Sequence, residues 1–209
     1  MVYVDKKIVK KHNKLFYDAI SEVRPKIKEK GITFQYRLVG SAKRHMVVSD
    51  DNQGFDCDYQ IILMTNKNNF SCEEIKDLFI DKFDESFVDR GFKHSEDSSR
   101  AITIKKINIK QSKVLKAYDV VILKWKKDGF YILNNDKAKE KGEKGKYTLE
   151  KLPRTEKYAE NAKMIRGSEM WEYLRKIYLK KKEEETEERK SFQIFNNSVN
   201  ETLDKFKKQ

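Results

Sequence analysis

Gly40-Ser41-Ala42-Lys43-Arg44 and, after a polar loop, Phe55-Asp56-Cys57-Asp58-Tyr59 form the stretch whose reading decides the fold. Residues 33–39 in front of it carry a short strand pattern that stops at the glycine. Asp50, Asp51, Asn52 and Gly54 mark the loop, and residues 55–64 read as a second strand, with the apolar end Ile61-Ile62-Leu63-Met64. Side chains alternate along a strand, so Asp56 and Asp58 share one face while Cys57 points to the other, into the core. Two neighbouring carboxylates repel each other unless a cation sits between them. An oxygen-rich pair of this kind suits Mg²⁺ or Mn²⁺, and Mg²⁺ also binds substrate phosphates. A glycine at the strand end allows close backbone approach to a phosphate. A helix starting there would turn amide groups and the Ser41 hydroxyl toward an anion. Lys43 and Arg44 follow directly, and each is a candidate to pair with a triphosphate.

Working outward, residues 5–30 read as an amphipathic helix with Ile8, Leu15, Phe16, Ile20, Val23 and Ile27 on one face, stopped by Gly31. Ser71-Cys72-Glu73-Glu74 is a capping box. It opens a helix that carries Ile75, Leu78, Phe79, Phe83 and Phe87 and ends near Gly91. Residues 100–107 and 114–123 are two more strands, and Asp119 stands in the second between Tyr118 and Val120-Val121-Ile122-Leu123. A carboxylate in so apolar a strand is costly if buried alone. Asp119 is therefore the candidate third carboxylate of a two-metal site for in-line phosphoryl chemistry. Lys127-Asp128-Gly129 is a hairpin signal leading into a fifth strand, 130–133. Residues 136–146 have no large apolar side chain and two glycines, and read as a loop.

From Thr155 the pattern is helical again. Tyr158, Ala162 and Ile165 make one stripe, and Trp171, Leu174, Ile177 and Tyr178 another, with Gly167 as a break between them. The charged block 180–190 reads as a solvated helix face or a helix junction, and Phe192, Phe195, Val199, Leu203 and Phe206 mark a last helix. The expected fold is α+β: a mixed β-sheet flanked by helices over residues 1–150, with a short helical extension, 151–209, packed on it.

With 38% hydrophobic and 11% aromatic residues in 209, the chain can bury a core, which excludes disorder throughout. No apolar run approaches the roughly 18 residues of a membrane span. No secretory signal opens the chain, and two cysteines make neither a disulfide framework nor a zinc cluster, so the expected location is the cytoplasm. Lys and Arg number 46 against 34 Asp and Glu, a net charge of +12 that favours polyanionic partners. Because 37 of the 46 are Lys in an Asn-rich chain, the excess also fits a compositional bias and does not by itself assign a function. His12 and His94 read as solvated, whereas His45 sits beside the candidate phosphate loop. Arg100 opens the third strand, facing either the site or the surface.

The ordered set Gly40-Ser41, Asp56-x-Asp58 and a later strand aspartate, Asp119, resembles the nucleotidyltransferase superfamily of the DNA polymerase beta type. That superfamily includes poly(A)- and CCA-adding enzymes, antibiotic nucleotidyltransferases, and oligoadenylate and cyclic-dinucleotide synthases. More narrowly, the two quoted strings are similar to bacterial and mobile-element members. The resemblance covers about residues 30–125. It implies Mg²⁺-dependent transfer of a nucleoside monophosphate from a nucleoside triphosphate such as ATP to a hydroxyl acceptor, with release of pyrophosphate. The acceptor would be an RNA end, another nucleotide or a small molecule. Asp56, Asp58 and Asp119 would be the metal and catalytic carboxylates, and Gly40, Ser41, Lys43 and Arg44 the phosphate-binding residues. The 15 positions from Ser41 to Asp56 are long for the motif, and the C-terminal part is short for polymerising members. The alternative is a non-catalytic, basic nucleotide- or nucleic-acid-binding module, or an antitoxin-like partner, on the same fold.

Overall fold

The computed structural model of the chain describes residues 1–50, 54–136, 145–153, 156–185 and 191–207. Its elements in order are β1 (Val2–Tyr3), α1 (Lys6–Glu29), β2 (Ile32–Leu38), α2 (Gly40–Arg44), β3 (Val48–Ser49), β4 (Phe55–Asn66) and α3 (Cys72–Phe87). There follow β5 (Glu96–Asp97), β6 (Ile102–Asn108), β7 (Lys113–Lys126), β8 (Gly129–Asp136), β9 (Lys146–Lys151), α4 (Glu156–Ile165), α5 (Met170–Glu183) and α6 (Ser191–Lys207). The architecture is the α+β arrangement expected from the sequence.

Seven strands form one mixed sheet in the order β2-β4-β7-β6-β5, extended by β8 and β9. Only the β4–β7 pair is parallel. Strand β7 is 14 residues long and changes partner along its length. Its first part lies between β4 and β6, and its last residues pair with β8 across the Lys127-Asp128 turn. A short pair, β1 with β3, stands apart from the main sheet.

Helices α1 and α3 cover one face of this sheet. Asp5 caps α1 through the Lys7 amide, and Ser71 and Glu74 form the reciprocal capping box of α3. The apolar faces of both helices meet the alternate residues Cys57, Tyr59 and Ile61 of β4 and Tyr118, Val120 and Ile122 of β7. Phe16 stacks on Tyr59 at 3.7 Å between centroids. Burying each such ring is worth roughly 1.5–3 kcal/mol. A second cluster joins Met46 to Ile165, Leu174, Tyr178, Ile194, Phe195, Val199 and Leu203, so helices α4–α6 close over the segment that follows α2.

Two expectations need correction. His12 is not solvated but fully buried: its Nε2–H donates to the Ala117 carbonyl at 3.1 Å and its ring stacks on Tyr118 at 4.2 Å. His94 is open to solvent as expected, beside Asp84. The 136–146 loop reading stopped short of a strand: Asp136 pairs with Lys146 and residues beyond it continue as β9. Residues 137–144 of that loop and 186–190 of the charged block lie outside the described residues.

Candidate active site

The face of the sheet opposite α1 and α3 carries the carboxylates. Parallel pairing sets Asp58 beside Asp119, with Cys57 beside Tyr118 on the core side. Asp56 lies one alternation before Asp58 on the same face. One carboxylate oxygen from each of Asp56, Asp58 and Asp119 falls within 4.8 Å of the others. Asp56 is exposed at the mouth of the site, while Asp58 and Asp119 are half-buried. Thr103, opposite Asp119 on β6, donates its hydroxyl to the Asp119 carboxylate at 2.6 Å and fixes its rotamer.

The Gly-Ser segment meets these carboxylates directly. The backbone turns at Gly40 with φ 64°, and the Val39 amide donates to the Asp58 carbonyl at 2.9 Å. A Cβ at Gly40 would lie 1.8 Å from Asp58 Oδ2 and 2.7 Å from its Cγ. Only glycine fits this approach, and only glycine adopts this backbone region freely. Ser41 is half-buried at the start of α2, and Lys43 is exposed. Arg44 turns away toward the C-terminal helices, its guanidinium 4.1 Å from the Phe195 ring centroid. His45 closes α2 in a left-handed conformation, φ 58°. Arg100 faces the surface, where its guanidinium pairs with Glu150 at 2.6 and 2.7 Å.

The electrostatics are those of an uncompensated anionic cluster. Asp56 is accessible along its side chain, but the protein crowded around its carboxyl limits solvation there; that desolvation, then the Asp119 charge, raises it, against its own backbone amide and Lys182. Burial pushes Asp58 up to about 6, helped by Asp56 and Asp119 and opposed by Arg44. Burial also raises the Cys57 thiol on the core side, followed by the two flanking aspartates. The donor set is therefore three carboxylates without a thiolate or imidazole, which fits a hard divalent cation. Such a cation would offset the burial penalty and the mutual repulsion that together hold the two carboxyls high.

Three further residues reach the site from the C-terminal helices. Lys182 on α5 donates to Ser191 Oγ at 3.2 Å, and its charge acts on Asp56. Tyr178, one turn earlier, hydrogen-bonds Ser191 and lies within the field of Asp56 and Asp58. The sequence reading placed Tyr178 in a core stripe, where it is buried, and Lys182 in a charged block read as a solvated helix face or a helix junction. No spacing rule connects them to Asp56, because the link is the packing of α5 and α6 over α2.

No protein-family model matches the chain, and no curated protein matches it. Solved structures do. The GTP-bound form of Vibrio cholerae DncV aligns with a TM-score of 0.54 at 16% identity, over 96% of this chain and 53% of that one. The 3′-deoxy ATP-bound form of the same protein gives 0.55 at 18% identity, over 96% and 53%. The structure described as the Vibrio cholerae di-nucleotide cyclase DncV with GTP gives 0.55 at 14% identity, over 89% and 52%. The chain thus spans about half the length of these neighbours. At this identity the likeness is one of fold alone: the chain shares the fold of these DncV structures.

Proposed function

We propose that the chain is a divalent-metal-dependent nucleotidyltransferase that moves a nucleoside monophosphate from a nucleoside triphosphate to a hydroxyl acceptor and releases pyrophosphate. One observation carries this reading: three carboxylates from two parallel-paired strands converge within 4.8 Å, with Gly40 against one of them. The neighbours with bound GTP and 3′-deoxy ATP support nucleoside triphosphates as the donor class.

Asp56, Asp58 and Asp119 would hold Mg²⁺ or Mn²⁺, which supplies Lewis-acid stabilisation of phosphate charge when bound. The protein's own groups do the rest. Ser41 and Lys43 in α2, and Lys182 with Ser191 from α5 and α6, would offer donors for the triphosphate. Asp119, whose carboxylate accepts from the Thr103 hydroxyl, would take the proton of the acceptor hydroxyl. The acceptor class, an RNA end, a nucleotide or a small molecule, is read from the products.

The test is incubation of the chain with each α-labelled nucleoside triphosphate, Mg²⁺ or Mn²⁺ and total RNA. Pyrophosphate is measured, and label is separated into RNA, oligonucleotide and small-molecule fractions. The expected result is metal-dependent pyrophosphate release matched by label in one fraction, both lost in the Asp56→Asn/Asp58→Asn variant. Nucleotide binding without release above that variant would overturn catalysis and leave the binding-module reading.

A further inference from the structure

The far end of α2 borders a second cleft that the carboxylate chemistry does not use. Lys6, Arg44, His45, Arg166, Trp171 and Arg175 line a cavity of about 100 Å³ where α4 and α5 meet the start of α1. Beside it is a compartment of about 140 Å³, lined by Ala159, Ala162, Lys163 and Phe195, with Arg44, Arg166 and Trp171 shared between the two. No carboxylate lines either compartment among the described residues. The nearest acidic partner of Arg175 is Glu172 at 3.7 Å, an exposed residue on the same helix.

Such a concentration of positive charge is unfavourable without an anion. Two of the guanidinium groups are also incompletely satisfied: the buried Nε atoms of Arg44 and Arg175 have no hydrogen-bond partner among the described residues. Both guanidinium groups instead lie over aromatic rings, Arg44 on Phe195 and Arg175 on Tyr3 at 4.2 Å, which holds them in place. The unpaired buried Nε donors add to the unfavourable energy of the cluster, and the remaining guanidinium N–H groups are the donors for a ligand oxygen. Arginines held in place and facing a cavity are suited to phosphate recognition.

The second compartment asks for a different chemistry. Its alanines, Phe195 and Trp171 offer apolar, flat surface next to the cationic cavity. The volumes hold several waters each, enough for a phosphate group in one and a planar ring in the other. The cleft touches the carboxylate site at Arg44, whose charge acts on Asp58, and extends away from it along α5. Trp171, Arg175, Tyr178 and Lys182 recur at three-to-four spacing, so they lie along one face of α5. From Trp171 to Lys182, the residue near Asp56, that face runs about 16 Å.

We propose that this cleft binds a nucleoside phosphate, with the phosphate among Lys6, His45, Arg166 and Arg175 and the ring against Trp171 and Phe195. It is a second site, distinct from that of the triphosphate donor, and it stands whether or not the chain is catalytic.

The chain has two tryptophans, Trp125 and Trp171, so Trp125→Phe leaves Trp171 as the sole reporter. Full-length Trp125→Phe protein is titrated with AMP, GMP and adenosine in excess chelator, which disables metal-dependent binding at the carboxylates. The expected result is a saturable change in Trp171 fluorescence with AMP or GMP, and at least tenfold weaker binding of adenosine. Arg166→Glu, at an exposed position, and Lys6→Glu as an independent variant should each weaken nucleotide binding at least tenfold, with circular dichroism unchanged. Asp119→Asn should leave it within twofold. Absence of a saturable change, equal binding of adenosine, or insensitivity to both charge reversals would overturn the proposal. So would an equal loss in Asp119→Asn, which would place the nucleotide at the carboxylates.

Discussion

Substituting Gly40 by alanine separates the site from the fold. The new Cβ would meet Asp58 Oδ2 at 1.8 Å, Cγ at 2.7 Å and Cβ at 3.1 Å. Rotating the Asp58 side chain relieves the first contact but not the last. Reaching ordinary contact, near 3.5 Å, requires the carboxylate oxygen to retreat by roughly 1.7 Å from its 1.8 Å position. The three ligand oxygens are gathered within 4.8 Å, so that retreat is a large fraction of the cluster. A misplacement of about 1 Å at a reacting centre can cost on the order of 10²-fold in rate. The left-handed backbone adds roughly 1–2 kcal/mol for any residue with a Cβ, which lowers the melting temperature by about 2–8 °C in a chain of this size.

Gly91→Ala is the matching control. Gly91 also has a left-handed backbone, φ 77°, but its nearest neighbour is the flexible Lys106 ammonium, far from the carboxylates in the sheet. Both variants should lose comparable thermal stability by scanning fluorimetry. Only Gly40→Ala should lose Mg²⁺-dependent nucleotide affinity, at least tenfold by calorimetry, and turnover by about 10²-fold or more. If Gly40→Ala keeps both within threefold of wild type, Gly40 is merely a turn residue and its contact with Asp58 has no functional meaning.

Further outcomes follow from individual residues. Asp119→Asn keeps the shape but removes the base, so Mg²⁺-nucleotide affinity should stay within a few-fold while single-turnover rate falls by about two to four orders of magnitude; an unchanged rate would remove Asp119 from the site. Lys182→Ala should weaken triphosphate binding by about 1–3 kcal/mol and monophosphate binding much less, as calorimetry with both nucleotides would show. A carboxyl held at about 6, against 3.8 ordinarily, contributes stability below the lower value that is lost as pH rises through the higher one. Asp58→Asn should therefore raise metal-free unfolding free energy at pH 8 by about 1–3 kcal/mol, and equal or lower stability in urea titrations would contradict the uncompensated cluster. For His12, burial depresses the imidazole to about 4, with the Ala117 hydrogen bond opposing. The unfolded chain then binds more protons between about 4 and 6.5, so stability should fall by up to about 3 kcal/mol as pH drops through that window; His12→Asn should flatten this slope.

Much of this structure was legible because local signals agreed with tertiary demands. The capping box at Ser71, the alternation around Asp56-Cys57-Asp58 and the Lys127-Asp128-Gly129 turn each name a local geometry that the fold uses. Strand β9 was hidden because Lys-Tyr-Thr-Leu-Glu-Lys has charged ends and one strong apolar residue. Its strand character comes from pairing with β8 and from Tyr147, whose hydroxyl donates to Asp97 at 2.7 Å. His12 was misread because a polar residue on a Lys-rich helix looks exposed. Its burial depends on a carbonyl acceptor 105 residues away. Lys182 and Ser191 were invisible for the same reason, since their relation to Asp56 exists only after α5 and α6 have packed.

The register of one strand pair explains why the candidate site and the core stand or fall together. β4 and β7 run parallel, so paired residues share a face, and Cys57–Tyr118 on one side fixes Asp58–Asp119 on the other. A slip of one residue would put the carboxylates into the layer now filled by Phe16, Phe83 and Phe87. Burial of those rings is thus what holds two like charges side by side, in a position where burial first and the neighbouring aspartates second raise the Asp58 carboxyl. The same burial makes the cluster rigid, because Asp58 cannot relax toward Gly40 and Asp119 is tethered to Thr103. Repulsion that the chain cannot relieve by moving would be relieved by the divalent cation proposed for this site. On the proposed reading, affinity for metal at this site would therefore be set by the aromatic core behind the sheet as well as by the three aspartates in front of it.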